Sequence, residues 1–410
     1  MARLWDDLPP EVVENVLARL PVHALCRSRL VCKKWDHLIT DPGFTSFYAQ
    51  TSRRASHVLI MPRELSICRS IKRKRNWEIL DIEEKRFYTL SENFIEDYLL
   101  RTNKDFAHFI PCMKFTLAAD AGLVYAMYFK YETRRHIVCN PVSKDIHQIP
   151  EPKFHILYNR DIFLMLVDNA TQSYRIVTIQ LYDSHYTRRD QVHLYDSKTL
   201  QWRKLCKIPG DSYLAHSSIF LRGVLFTLFF DLSITPWRPK LCACDLDTGV
   251  WCHIDVQLPQ PSHPQDKLQL VVSLDRLFCV EYSGLRRCRS SHMTDWEALI
   301  ELEPEQAKQP VTVVIWEILL ADREVRKVAE MPKHSPQTLL MGDPVVALGC
   351  GDSIVVSSLV AGCCVAFDLL KHCWHDPSTN TEHMYGTCML DPHREYAGLV
   401  NLDLRKFGTS

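Results

Sequence analysis

Two Cys/His clusters are the residues of this chain whose types and spacing could bind a metal. Cys242-x-Cys244 sets two thiols on one face of a strand, with Cys252-His253 close behind, and His372-Cys373-x-His375 is the second cluster. A structural zinc needs four converging nitrogen or sulfur ligands, and neither cluster brings a second half at a usual spacing. Structural thiols and ordinary strand histidines are the simpler reading. The sequence has no Gly-rich phosphate loop, Gly-x-Ser-x-Gly elbow or His-Glu-x-x-His pair. No catalytic residue, metal or cofactor is therefore expected.

Arginines offer binding chemistry instead. Lys plus Arg and Asp plus Glu balance at 49 each, so net charge predicts neither general nucleic-acid affinity nor membrane attraction. Yet stretches 63–76, 130–135, 183–190, 231–240 and 283–310 together hold 17 basic and 10 acidic residues. Arg73, Arg75, Arg134, Arg135, Arg188, Arg189, Arg286 and Arg287 concentrate that excess. Planar guanidinium groups grip carboxylate or phosphate oxygens with two donors, which suits an acidic or phosphorylated protein segment. The long 283–310 stretch has the length of a functional or disordered connection. Its own acids, Asp295, Glu297, Glu301, Glu303 and Glu305, oppose the excess. Ordinary solvated loops, or an import patch at 72–75, account for the same charges.

The elements that must position these groups fall into two unlike regions, expected as domains at 1–48 and 49–410. At the N-terminus, Asp6-Asp7 followed by Leu8-Pro9-Pro10 predicts a helix start, with acids in capping reach and prolines where no amide donor is lost. Val12, Val13, Val16, Leu17 and Leu20 recur at helical spacing, and Pro21 ends that helix. A second helix is expected over 22–28. A third carries Leu30, Val31, Trp35, Leu38 and Ile39 on one face and ends at Asp41-Pro42-Gly43. So small an all-α unit cannot bury every apolar stripe within itself. The surplus must cover the rest of the chain or meet a partner.

From residue 56 onward short β-rich runs alternate with turns. One unit recurs: an apolar residue, an anchoring acid or Asn, a polar turn, and a bulky residue six positions after the anchor. It appears at Leu80-Asp81 with Phe87, Cys139-Asn140 with Ile146, and Tyr195-Asp196 with Trp202. It returns at Cys244-Asp245 with Trp251 and Phe367-Asp368 with Trp374, and a sixth copy is placed at Trp316-Glu317, resuming at Val325 after a longer turn. The spacing suits the blades of a β-propeller with about 50 residues each. Each anchor can bond its own turn amides. Trp202, Trp251 and Trp374 are expected as core between blades, each change to Ala costing about 3–5 kcal/mol. The run 396–404 would close the ring by adding a strand to the first blade.

Residues 1–7 already hold a Trp and two acids, so no export signal is expected. The longest apolar runs, 224–230 and 311–320, fall short of the about 20 residues that a membrane helix needs. A soluble protein of the cytoplasm or nucleus, with its 16 cysteines reduced, is the expectation.

Leu8-Pro9-x-Glu11-Val12, Leu20-Pro21-Val22, Leu25, and the run from Arg29 through Val31-Cys32-Lys33-x-Trp35 to Leu38-Ile39 and Phe44 resemble the F-box. The repeat that follows, with the segment from Cys139-Asn140-Pro141 to Ile149-Pro150, resembles the F-box/kelch-repeat family, although the double glycine of kelch repeats is missing. The resemblance implies a three-helix F-box followed by a kelch-like, six-bladed all-β propeller. The F-box would dock a Skp-type adaptor, and through it cullin and RING subunits, using Leu8, Pro9, Val12, Leu20, Pro21, Leu25, Val31 and Trp35, with Trp35 alternatively part of the F-box core. The propeller would hold a protein substrate for ubiquitination and proteasomal degradation, through the face where the basic loops between second and third strands gather. The resemblance thus implies a non-catalytic receptor, with no membrane and no direct nucleic-acid partner. Two other readings stay open: a non-degradative adaptor acting in transcription, and a propeller enzyme. A copper oxidase is the sharpest enzyme form, since 15 Tyr and 18 His could supply its ligands.

Overall fold

The computed structural model describes residues 8–20, 22–41, 43–44, 47, 57–60, 78–81, 86–89, 98, 114–120, 123–130, 133–140, 146–154, 161–168, 171, 173–180, 191–210, 213–231, 233, 238–261, 267–283, 312–332, 345–358, 364–375 and 399–402. The N-terminal region holds helices α1 (Pro10–Leu17), α2 (Val22–Ser28) and α3 (Lys33–Thr40). Proline opens α1 without loss, because the first-turn amide it lacks has no partner in any helix. Pro9 itself stands at the N-cap, with no side-chain cap; Asp6 and Asp7 lie outside the described residues. Val13, Leu17, Ala18, Leu25 and Phe44 form the small buried core. The Asp41 carboxylate accepts the Gly43 amide at 2.7 Å as the chain leaves α3.

One expectation needs correcting here. Leu30 and Val31 are not on α3 but in the turn before it, where their amides donate to the carbonyls of Arg27 and Ser28. Arg29 Nε, bonded to Asp36 Oδ1 at 2.7 Å, ties that turn to α3.

The remaining elements are strands, in six four-stranded antiparallel sheets among the described residues. Sheet 1 joins β1 (His57–Ile60), β2 (Glu78–Asp81) and β3 (Arg86–Thr89) to the last strand of the chain. Sheet 2 holds β4 (Lys114–Asp120), β5 (Leu123–Lys130), β6 (Thr133–Cys139) and β7 (Ile146–Ile149). Sheet 3 holds β8 (Ile162–Asp168), β9 (Ser173–Ile179), β10 (Gln191–Asp196) and β11 (Gln201–Lys207). Sheet 4 holds β12 (Tyr213–Leu221), β13 (Val224–Asp231), β14 (Arg238–Cys244) and β15 (Trp251–Ile254). Sheet 5 holds β16 (Lys267–Ser273), β17 (Arg276–Ser283), β18 (Thr312–Leu319) and β19 (Glu324–Glu330). Sheet 6 holds β20 (Val345–Cys350), β21 (Ser353–Ser358), β22 (Cys364–Asp368) and β23 (Cys373–His375). The final strand, β24 (Leu399–Leu402), pairs with β1, Val58 opposite Asn401, as the closing-strand expectation required.

The inner strands β4, β8, β12, β16, β20 and β24 contact one another in turn, and β24 returns to β4. The N-terminal helical region is thus followed by a β-propeller. By pairing with β1, β24 covers an edge of the first sheet that would otherwise stand open. Neighbouring inner strands are joined by side chains that take up backbone groups: Asp120 Oδ2 accepts the Val167 amide at 2.7 Å, and Ser217 Oγ accepts the Leu270 amide at 2.9 Å. Gln269 both donates to the Ala347 carbonyl at 2.8 Å and accepts the Ala347 amide at 2.9 Å. At Gly349 the approach is so close that a Cβ would collide with the Val272 carbonyl.

Four described seams between sheets have their own apolar clusters. The sequence repeat explains their outer parts. In five of the six sheets the residue before the anchor faces the bulky residue across the outer hairpin: Leu80 and Phe87, Cys139 and Ile146, Tyr195 and Trp202, Cys244 and Trp251, Phe367 and Trp374. Asp196, Asp245 and Asp368 each accept turn amides through Oδ1, at 2.8–2.9 Å.

The sixth copy was misplaced by two residues. Ile318 faces Val325, so the anchor position belongs to Leu319, and the turn has the same length as the others. The residue four after each of these anchors takes a positive φ: Leu200 56°, Gly249 72°, Arg323 56° and His372 52°. Glu317 is instead a buried mid-strand carboxylate, held by Arg276 and Arg326. Burial raises its pKa, but the hydrogen bonds from the two arginines outweigh that and leave it below the usual carboxylate value.

Trp202, Trp251 and Trp374 do lie between sheets, but half-buried rather than in the deep core. Each indole N–H donates to a carbonyl at the end of the preceding sheet's outer strand: Trp202 to Pro150 at 2.8 Å, Trp251 to Lys207 at 2.9 Å and Trp374 to Glu330 at 3.1 Å. Tryptophan suits this place, since its ring can bury while its one donor reaches a backbone oxygen.

Candidate docking faces

The helical region leaves a specific apolar set outside. Val12 is 43% exposed, Val16 38%, Leu30 87% and Val31 64%. Val12 and Val16, one turn apart on α1, share a face because Val13 and Leu17 take the inward one. Of the residues singled out for adaptor contact, Val12, Val31 and Pro9 are exposed, Leu8, Leu20 and Trp35 are half-buried, and Leu25 is buried in the helical core. Pro21 lies outside the described residues. Val16 and Leu30 are exposed as well, although neither was singled out. Helical periodicity assigned Val16 to the buried stripe and Leu30 to the third helix, and only the packing reveals both as surplus.

In the propeller, strict antiparallel order fixes which connections share an end. The links between second and third strands emerge beside the linkers that carry the chain to the next sheet; the inner and outer hairpin turns emerge opposite. Of the singled-out arginines, Arg134 and Arg135 are strand residues of β6 and not loop residues, because β5 and β6 pair all the way to Lys130 and Thr133. Arg135 is exposed. Arg73, Arg75, Arg188, Arg189, Arg286 and Arg287 lie outside the described residues.

The Cys/His clusters are dispersed by the fold. Cys242 and Cys244 point into the apolar cluster between sheets 3 and 4, whereas Cys252 is exposed on the next strand. Burial pushes the Cys242 thiol up to about 11, so it stays protonated and poorly nucleophilic. Cys373 is exposed, and His372 occupies the positive-φ turn position. Among the described residues no three His, Cys, Asp or Glu side chains gather as a metal site. No helix among them is long and apolar enough to cross a membrane.

Residues 5–47 match the F-box domain, and residues 118–351 match the F-box associated beta propeller domain. The chain belongs to the F-box associated β-propeller family. The matched propeller segment runs from the end of β4 to the turn after β20, and so includes all of sheets 3, 4 and 5. Among curated members from Arabidopsis thaliana, F-box protein At5g49610 is 24% identical over 261 residues, covering 60% of this chain and 64% of that protein. F-box/LRR-repeat/kelch-repeat protein At2g27520 is 26% identical over 236 residues, 56% of each. F-box/kelch-repeat protein At3g61590 is 22% identical over 258 residues, 59% of this chain and 56% of that protein. The chain spans little more than half of the length of such relatives.

Proposed function

We propose that this F-box/β-propeller protein is a substrate-recognition subunit of a cullin–RING ubiquitin ligase. Residues 1–48 dock a Skp-type adaptor, and residues 49–410 form a propeller, each four-stranded sheet one of six blades, that holds the target protein. The observation that carries this reading is the exposed set Val12, Val16, Leu30 and Val31 on a helical region whose core is closed by Val13, Leu17, Ala18, Leu25 and Phe44. Large apolar side chains left exposed on so small a unit are what a partner would cover. The work of such a receptor is proximity: it holds a target beside a conjugating enzyme and needs no reactive group of its own. The arginines Arg73, Arg75, Arg134, Arg135, Arg188, Arg189, Arg286 and Arg287 are proposed to draw an acidic or phosphorylated segment of the target toward the propeller.

The test is the double variant Leu30→Asp with Val31→Asp, both in an exposed turn. Co-purification of the Skp-type adaptor should be lost while thermal unfolding of the propeller stays unchanged. Adaptor retained at wild-type levels would remove the basis of the proposal.

A further inference from the structure

An indole ties the outer part of three seams, but the seam between sheets 4 and 5 has Val325 at that position, with no N–H to give. A cleft of about 570 Å³ opens there. Its size falls within the roughly 300–1,000 Å³ typical of small-ligand pockets. Trp316, Val325, Val256 and Leu258 supply apolar walls, and the Trp316 ring is fixed by its N–H donating to Glu281 Oε2 at 2.9 Å.

The rim is polar and uncommitted. Arg238, Gln257 and Gln260 are exposed, and none makes a side-chain hydrogen bond or ion pair among the described residues. Two nearby carboxylates are engaged elsewhere. Asp231, the strand partner of Arg238, holds Lys240 Nζ at 2.9 Å, and Glu281 holds the Trp316 indole. A free guanidinium thus stands beside an aromatic wall and two free amides. It stands at the end of the propeller where the links between second and third strands emerge.

We propose that this cleft docks an extended segment of the target protein, one that carries a carboxylate side chain close to an apolar one. The apolar side chain packs on Trp316 and Val325, the carboxylate takes the two-pronged guanidinium of Arg238, and the glutamine amides bond the peptide backbone. The proposal rests on the reading of the propeller as the target-holding part.

The experiment exposes the full-length protein to an immobilised library of synthetic random peptides of about ten residues. The expected result is selection of peptides with Asp or Glu within a few residues of Leu, Phe or Trp. Binding of the selected peptides should fall about tenfold or more in Arg238→Glu, and by a smaller factor in Arg238→Lys, which keeps the charge but loses the two-pronged geometry. Absence of that preference, or equal binding by Arg238→Glu, overturns the proposal. Adaptor co-purification from the same preparations separates the two readings. Adaptor bound without peptide selection removes the cleft alone, and peptides selected without adaptor remove the ligase reading while the cleft stands.

Discussion

The seams on either side of sheet 4 share one backbone plan but carry different residues at the anchor, the positive-φ position and the position that crosses the seam. In both, an outer hairpin of the same register and turn length faces the preceding sheet. On the side of sheet 3, Asp245 caps the turn, Gly249 takes the positive φ and Trp251 reaches across. A Cβ on Gly249 would lie 3.0 Å from the Leu205 carbonyl oxygen and 3.2 Å from Cys206 Cβ, so glycine lets the turn press onto β11. Arg175 then pairs with Asp247 at 2.9 Å, and Arg203 donates to the Leu246 carbonyl at 3.3 Å. On the side of sheet 5 the corresponding residues are Leu319, Arg323 and Val325, and the seam opens into the cleft. The hairpin geometry is robust to these exchanges. What they decide is whether a seam is sealed or available.

The largest effect is expected where an added methyl would meet the backbone of the neighbouring sheet. Gly349→Ala places a methyl against the Val272 carbonyl, which a backbone cannot yield as a side-chain tip can. We expect a loss of about 3 kcal/mol, the upper part of the range for overpacking. Denaturant titration checks it, and a loss under about 1 kcal/mol would mean that β16 and β20 can part freely.

Next is the sealed seam itself. Trp251→Ala removes a half-buried ring that meets Phe229 edge-on at 5.4 Å, together with its bond to Lys207. Because the ring is only half-buried, we expect about 2–3 kcal/mol, below the usual cost of a fully buried Trp. Trp251→Phe keeps most of the packing and should cost about 1 kcal/mol for the lost hydrogen bond. Equal losses in the two variants would assign the whole effect to the indole donor.

The seam between sheets 2 and 3 can be loosened by acid. His193 is 5% exposed, its ring stacks on Phe154 at 3.7 Å, and its Nδ1 has no hydrogen-bond partner. Burial first, and then the positive charge of Lys204, lower its pKa from 6.5 to about 4. The folded state therefore binds fewer protons than the unfolded state between those values. Stability should be full above pH 6.5 and fall as pH drops toward 4, by on the order of 2 kcal/mol. His193→Phe, which can stack but not titrate, should flatten that part of the profile. An unchanged slope would point to other groups.

Much of this plan is legible in the residues, and the exceptions have physical causes. The Asp-to-Trp spacing carries the outer hairpins of sheets 3, 4 and 6 because an acid that caps its own turn and an aromatic that crosses a seam are local demands. In sheet 5 neither demand is met. A nearby Glu317 imitates the anchor, although it faces two arginines inside the sheet. Exposure of Leu30 and Val31 depends on where α2 ends, which periodicity cannot resolve to a residue. Arg238 was counted within a basic stretch but not singled out, since its isolation depends on Asp231 choosing Lys240. No spacing in one sequence announces such a choice.

The smallest expected effect on stability is also the sharpest on the comparison. Val325→Trp gives the open seam the residue that three others have at this position. The cleft already holds empty volume beside Val325, so the larger ring need not overpack the core. If its N–H finds a carbonyl of the 255–260 linker, the gain should be about one hydrogen bond, roughly 1 kcal/mol or less. Thermal unfolding should rise slightly or stay level, while binding of acid-plus-apolar peptides is lost because the ring occupies their place. A strongly destabilised variant would mean that Trp316 and Val325 are packed too tightly for the cleft to admit a side chain. Unimpaired peptide binding at wild-type stability would place the peptide elsewhere. Either result would break the link between the missing indole and an open seam.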